Sequence, residues 1–394
     1  MQHSSVVCAV SFHLQEVEVL RVTRGLLIAL VGIGAVSPIL CAAQPSKQPG
    51  AVFVQTNAAD HNRVIAFERA FNGTLSNVGE FDTDGRGSGG VNDPLEAQGS
   101  LTLSQDHSLL FAVNAGSGNF SVFGVHHAFL TLLDKVASGG SQPVAVAQHK
   151  NLVYVLNSGG AGSVVGFQLG FGAHLTQIED STKFLSANVT GGASIAISPD
   201  GQFLAVTERL ANKIDVFHIQ PNGQISPIVI DPSPGAGAFS LTFAPDGKAI
   251  VSETGLATAT NGSAASSYSI LSNGKLSPVS QSVPTLGNAN CWNVVTPDGT
   301  KVYVSNAGSS TISGFAIGPN GTLTPLPGTV VGSNPEGATN LDIAVSADGK
   351  YIYTLNSGAG TIGSFAIQQN GTLANIGEAG DLPVFAGFNG IAAY

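Results

Sequence analysis

The 394-residue chain is 43% hydrophobic and only 10% charged, contains 50 glycines, and carries a formal net charge of −10. Low charge with abundant glycine suits many short strands joined by tight turns and argues against a helical protein. The acid excess argues against nucleic acid and anionic membranes as partners, since both ask for a basic face.

Residues 1–43 read as a secretory signal peptide. Arg21 and Arg24 precede an apolar run from Leu26 to Val36, followed by Pro38 and Cys41-Ala42-Ala43, which is the charged, apolar and small-residue order of such leaders. The run is too short for a bilayer, which takes about 20 apolar residues. Cleavage after Ala43 leaves residues 44–394 as one periplasmic or secreted domain with no membrane association, and residues 1–20 fit a misassigned start. The leader carries Cys8 and Cys41, so Cys291 remains alone and no intramolecular disulfide is expected.

Seven alternating apolar runs follow, each ending in Asn or Glu. They read VFVQTN, LFAVN, VYVLN, LAVTE, IVSE, VYVSN and YTLN, stopping at Asn57, Asn114, Asn157, Glu208, Glu253, Asn306 and Asn356. The intervals are 57, 43, 51, 45, 53 and 50 residues, a period that marks strand-only repeats of a β-propeller. The fourth repeat divides into four strands. Ser194–Ser198 is strand a, Phe203–Glu208 is b, Lys213–Ile219 is c, and Asn222-Gly223 turns into d. Asp-Gly or its equivalent recurs at the a-to-b turn (Asp106-His107, His149-Lys150, Asp246-Gly247, Asp298-Gly299, Asp348-Gly349), and Asn-Gly recurs at the c-to-d turn (Asn72-Gly73, Asn273-Gly274, Asn320-Gly321, Asn370-Gly371). These pairs suit tight hairpins because Gly and Asn tolerate positive φ.

The first repeat, opening at Ala51, lacks strand a, whereas Gly390–Tyr394 is an a-type strand with nothing after it. The two should complete one blade. The expectation is an all-β, seven-bladed propeller of four-stranded antiparallel blades, closed by the C-terminal strand and free of exposed sheet edges.

The segments TPDGTKVYVSNAGSSTISGFAI and SADGKYIYTLNSGAGTIGSFAI resemble the seven-bladed lactonase-type propellers related to 6-phosphogluconolactonases and carboxymuconate cyclases, over most of the chain beyond the leader. The resemblance implies a lactone hydrolase or cyclase-like activity with His and Arg around the channel, often with His after Pro at the entry to an inner strand. Here Pro143 precedes Val144, and another entry carries Cys291-Trp292. The family's catalytic set therefore has no matching positions to carry it.

Strand reversal puts the a-to-b and c-to-d hairpins on one face of the disc. The b-to-c loops, the d-to-a connections and the seven stops share the other. Five stops are Asn and are expected to cap their b-to-c loops through local side-chain to backbone bonds. Glu208 and Glu253 break the pattern on adjacent blades, because a carboxylate only accepts hydrogen bonds. They are candidate acid and base for opening a lactone, with Arg209 to stabilise the oxyanion. They could equally contact a ligand or cation, or pair with Arg209 and Lys213. Candidate ligand contacts are Trp292, Asn290, Gln98 and Asn340 at entries to inner strands, and His61 and Arg86 in loops of the same face.

Most lysines lie in or beside hairpin turns, so a non-phosphorylated lactone or carbohydrate-like ligand fits better than a phosphate ester. The insertion from Asp82 to Gln98, glycine-rich at its start, is expected to be a flexible lid. No Cys/His cluster suggests zinc and no Cys-x-x-Cys-His suggests haem, so no metal or cofactor is expected. A monomeric enzyme is one outcome of these signals. A non-catalytic propeller binding a small ligand, glycan or protein is the alternative.

Overall fold

The repeats form seven antiparallel sheets, and the computed structural model describes residues 50–256 and 258–394. The expected leader and its cleavage site lie outside the described residues. Blade 4 shows the pattern: Gly192–Ile197 (a), Phe203–Glu208 (b), Lys213–His218 (c) and Val229–Pro232 (d). Strand b is buried on both faces and d is half exposed. A blade's middle is covered by both neighbouring blades, whereas its outer strand meets water. This explains why the b strands are near-continuous apolar runs and gave the sharpest repeat signal. Tyrosines in b strands stitch the blades together. Tyr154, Tyr303 and Tyr353 donate to the carbonyls of Gly223, Gly371 and Gly73, the c-to-d turn glycines of the next blade, at 2.7, 2.9 and 3.0 Å.

The expected turns carry positive φ, at Gly201 (73°) and Gly299 (70°) and also at His107 (59°) and Lys150 (52°), where the sequence has no glycine. In blades 2, 4, 6 and 7 a Ser or Thr two positions before the Asp completes the a-to-b turn. Asp106 Oδ1 accepts from Ser104 Oγ at 2.6 Å and from the Ser108 amide at 3.0 Å. These bonds, from Ser104 foremost, hold its carboxyl down at about 2. Blade 3 departs from the pattern. Gly170-Phe171-Gly172 replaces Asn-Gly, a one-turn 3-10 helix occupies Phe171–Ala173, and the outer strand splits into Leu175–Gln177 and Lys183–Phe184.

Closure is as the missing strand predicts. Ile391–Ala393 pairs with Gly50–Gln55 in the register Val52 to Ala393, Phe53 to Ala392 and Val54 to Ile391. Blade 1 then continues through Arg63–Arg69 and Leu75–Asp82. Asp342, at a bulge in strand a of blade 7 (Asn340–Val345) with φ of 82°, accepts from the Ile391 amide at 3.0 Å and anchors the closing strand. Burial pushes its carboxyl up to about 7. Among the described residues no helix is long and apolar enough to cross a membrane.

Candidate active site

The insertion between blades 1 and 2 is bound along its length, which corrects the expectation of a flexible lid. The Gly85 carbonyl accepts from the Asn62 amide (3.0 Å), the Gly87 amide donates to Ala58 (2.8 Å), and the Arg86 carbonyl accepts from Gly116 (3.0 Å). Its second half runs across the central channel. The Gln98 amide donates to Ala193 of blade 4 at 2.8 Å, and its side chain pairs with the Asn293 backbone of blade 6, donating at 2.8 Å and accepting at 3.2 Å. Trp292 Nε1 donates to the Ala97 carbonyl at 3.2 Å, and its ring meets Phe239 edge-on at 5.2 Å. Residues 93–98 therefore plug the channel.

Above the plug lies a cavity of about 590 Å³, bounded by the b-to-c loops of blades 4 and 5, the entry to blade 6, and the plug itself. Asp93 and Glu96 of the plug face it together with Arg209, Phe239, Thr254 and Cys291. Arg209 forms an ion pair with Glu96 and is the one basic side chain among the lining residues. Asp93 Oδ1 accepts from Asn389 Nδ2 at 2.8 Å and from the Glu96 amide at 3.0 Å. No described residue partners its Oδ2. Burial pushes the Asp93 carboxyl up to about 6, against the lowering effect of Asn389. Burial, with Asp93 beside it, raises the Cys291 thiol well above its ordinary value, so it stays protonated and is no thiolate nucleophile.

The structure puts the other sequence candidates elsewhere. Glu208 is 0% and Glu253 1% exposed, and neither is among the residues lining the mouth cavity. Glu208 accepts from the Ser186 amide at 2.7 Å and from its hydroxyl at 2.5 Å. Glu253 Oε1 accepts from Ser233 Oγ, the Gly235 amide and Ser266 Oγ. Both carboxyls point into the blade, under the d-to-a connections, so they cannot meet a ligand in the mouth cavity without displacing that cover. The expected ion pairs are also rearranged: Arg209 pairs with Glu96, and Lys213 donates to Ser186 Oγ at 3.1 Å.

Among the described residues the Asn stops make no local side-chain to backbone bonds; Asn114 and Asn306 instead span their loops side chain to side chain, to Asn119 at 2.8 Å and Thr311 at 3.1 Å. The backbone carbonyls of Asn114, Asn306 and Asn356 close their loops, as Asn114 does for the Gly118 amide at 3.0 Å. The amides of Asn114 and Asn306 also reach along strand c, donating to Ser121 and Ser313, each at 2.8 Å, whereas Asn57 and Asn157 donate to Ser88 (3.0 Å) and the Ser138 carbonyl (3.3 Å) of the overlying connections. Asn290 and Asn340 are fully buried, donating to Ala264 (2.8 Å) and to Ser305 Oγ (2.5 Å) respectively. His61 and Arg86 are exposed and outside the cavity; His61 lies 3.5 Å from Asp82. Of the sequence candidates only Arg209 lines the cavity. Gln98 and Trp292 hold the plug that floors it.

Asp93 and Glu96 were missed, although a signal existed. Theirs is the longest d-to-a connection among the described residues, running from Asp82 to Leu101, and it carries an acid on each side of Pro94. Among the described residues no group of three or more His, Cys, Asp or Glu is placed to hold a metal ion.

With this geometry in hand, similarity to known proteins is informative. A family described as "Lactonase, 7-bladed beta-propeller" matches residues 161–294 and 296–380. The chain belongs to this family. Among solved structures, this lactonase-family propeller is similar to a candidate 6-phosphogluconolactonase from Bacteroides uniformis (20% identity, TM-score 0.69, covering 88% of this chain and 99% of that one). It is also similar to a periplasmic gluconolactonase from Pseudomonas aeruginosa (18%, 0.67, 87% and 98%) and to a functionally unknown protein from Desulfotomaculum acetoxidans (16%, 0.66, 88% and 99%). At these identities the likeness shows the fold. No curated protein matches the sequence.

Proposed function

We propose that this propeller is an exported, monomeric hydrolase that opens a neutral, non-phosphorylated lactone in the mouth cavity. The observation that carries the reading is the meeting of Asp93, Glu96 and Arg209 in one cavity above the plug. Asp93, its Oδ1 held and its Oδ2 free, takes a proton from water, which attacks the lactone carbonyl carbon. Arg209 stabilises the oxyanion that forms. As the ring C–O bond breaks, the leaving oxygen takes the proton from Asp93, and the product is a hydroxy acid. Its new carboxylate meets two acidic side chains, which favours release. The same acids, with the cavity's single guanidinium already paired, disfavour a phosphorylated substrate. Export rests on the leader's residue order and on likeness to a periplasmic gluconolactonase.

The test is acid release from a panel of sugar and aromatic lactones. The native protein should turn over at least one, Asp93→Asn and Arg209→Ala should each lower kcat/KM by about 100-fold or more, and Glu208→Gln with Glu253→Gln should retain turnover. A silent panel that still shows binding favours a non-catalytic ligand-binding propeller. Because the base works as carboxylate and its value lies near 6, the rate should rise with pH through about 6 and then level. A flat profile there would remove Asp93 from the mechanism.

A further inference from the structure

A second cavity of about 420 Å³ adjoins the first between blades 3 and 4, and the two share Glu96 as a wall. Consecutive residues divide between them in the same sense on both sides. On the plug, Asp93 faces the first cavity, whereas Pro94 and Leu95 face the second. On the b-to-c loop of blade 4, Arg209 faces the first and Leu210 the second. The loop is pinned in that orientation: the Arg209 amide donates to Gly191 at 2.8 Å and the Leu210 amide to Thr190 at 2.9 Å. A side chain on Gly191, whose φ is 65°, would strike Leu210 at 2.7 Å, so glycine there makes room for it.

The second cavity has no basic lining residue and no acid besides Glu96. Leu210 is 57% exposed and Val189, on the connection bonded to the Leu210 amide, 73%. Val189 also holds a φ of 57°, which is costly for a β-branched residue and is maintained only where its surroundings enforce it. Two exposed aliphatic side chains at a cleft continuous with a polar cavity present an apolar surface to whatever extends out of the first site.

We propose that this cleft is a subsite for an uncharged alkyl substituent, so that the ligand is an alkyl-substituted lactone with its ring beside Asp93 and Arg209 and its chain along Leu210 and Val189. This rests on the lactone reading of the mouth cavity. The Arg209–Glu96 pair stands at the boundary, where the polar ring ends and the chain begins.

The experiment measures binding of γ-lactones carrying no, short and long alkyl chains to the full protein, by calorimetry or competition. Affinity should rise roughly fourfold per added methylene until the cleft is filled. Leu210→Gln with Val189→Gln, both exposed positions, should flatten that slope without weakening the affinity for the unsubstituted ring or lowering the melting temperature. A flat slope in the native protein, no binding at any length, or a slope that survives the double substitution overturns the subsite. Chain-dependent binding with no acid release in the native protein sinks the hydrolase reading alone. Turnover of unsubstituted lactones with a flat slope sinks the subsite alone.

Discussion

Blades 4 and 6 solve the same corner with different chemistry. In blade 6, Asn306 ends strand b and donates to Ser313 on strand c, and Gly287 of the overlying connection packs against the amide. In blade 4 the same positions hold Glu208 and Asp215, and Ser186 covers the carboxyl by donating to it. Asp215 is fully buried with neither oxygen partnered among the described residues. Burial foremost, and then Glu208, hold its carboxyl well above the ordinary range. The residue after the stop also differs, Arg209 against Ala307. An unusual side chain at a repeat position thus marks a locally altered packing solution, while the group that reaches the cavity is its neighbour in sequence.

The largest expected effect comes from making the corners alike at that neighbour. Arg209→Ala gives blade 4 the blade 6 residue and should remove about 100-fold or more of lactone turnover, with little change in melting, since an exposed ion pair contributes about 0–1 kcal/mol. Next is Gly287→Ala in blade 6, whose added methyl would lie 2.3 Å from Asn306 Cγ. A loss of about 1–3 kcal/mol is expected in denaturant unfolding, and an unchanged midpoint would show that the corner can relax. Ser186→Ala in blade 4 should cost about 1–2 kcal/mol by removing one donor to a buried carboxylate.

The smallest effect is a change of slope. Asp215 binds its proton more tightly folded than unfolded, so its contribution favours the fold at low pH and is lost as pH rises from the ordinary carboxylate value towards the raised one. Glu208→Asn with Asp215→Ser, the blade 2 and 6 pairing, should weaken this decline in stability with pH. If melting temperatures against pH are parallel for the two proteins, the carboxyl pair is not the cause.

The fold was legible because each blade repeats the same local instructions. An apolar b strand, Asp-Gly before it and Asn-Gly after c specify two hairpins, and the missing first strand a fixed how the ring closes at Ile391–Ala393. The site was legible only at Arg209. Glu208 and Glu253 stood out because they break a repeat, but a one-dimensional pattern does not record which way a side chain turns at a strand end. Both turn into the sheet. Asp93 and Glu96 belong to a non-repeating segment whose course is set by contacts with Ala193, Trp292, Asn293 and Asn389, all at least 95 positions away, and no local rule reports such contacts.

The pairing of Val54 with Ile391 also imposes an order on the making of the molecule. While the chain emerges during synthesis, Gly50–Gln55 has a partner on one side only, and its other edge waits for Ile391–Ala393, which are made after every strand of blades 2 to 7. Blades 2 to 7 each hold all four strands in one continuous stretch and can form as they appear. The first blade begun is therefore the last finished, and an unsatisfied apolar edge travels with the nascent chain until Ile391–Ala393 has been made, and meanwhile it is open to wrong partners.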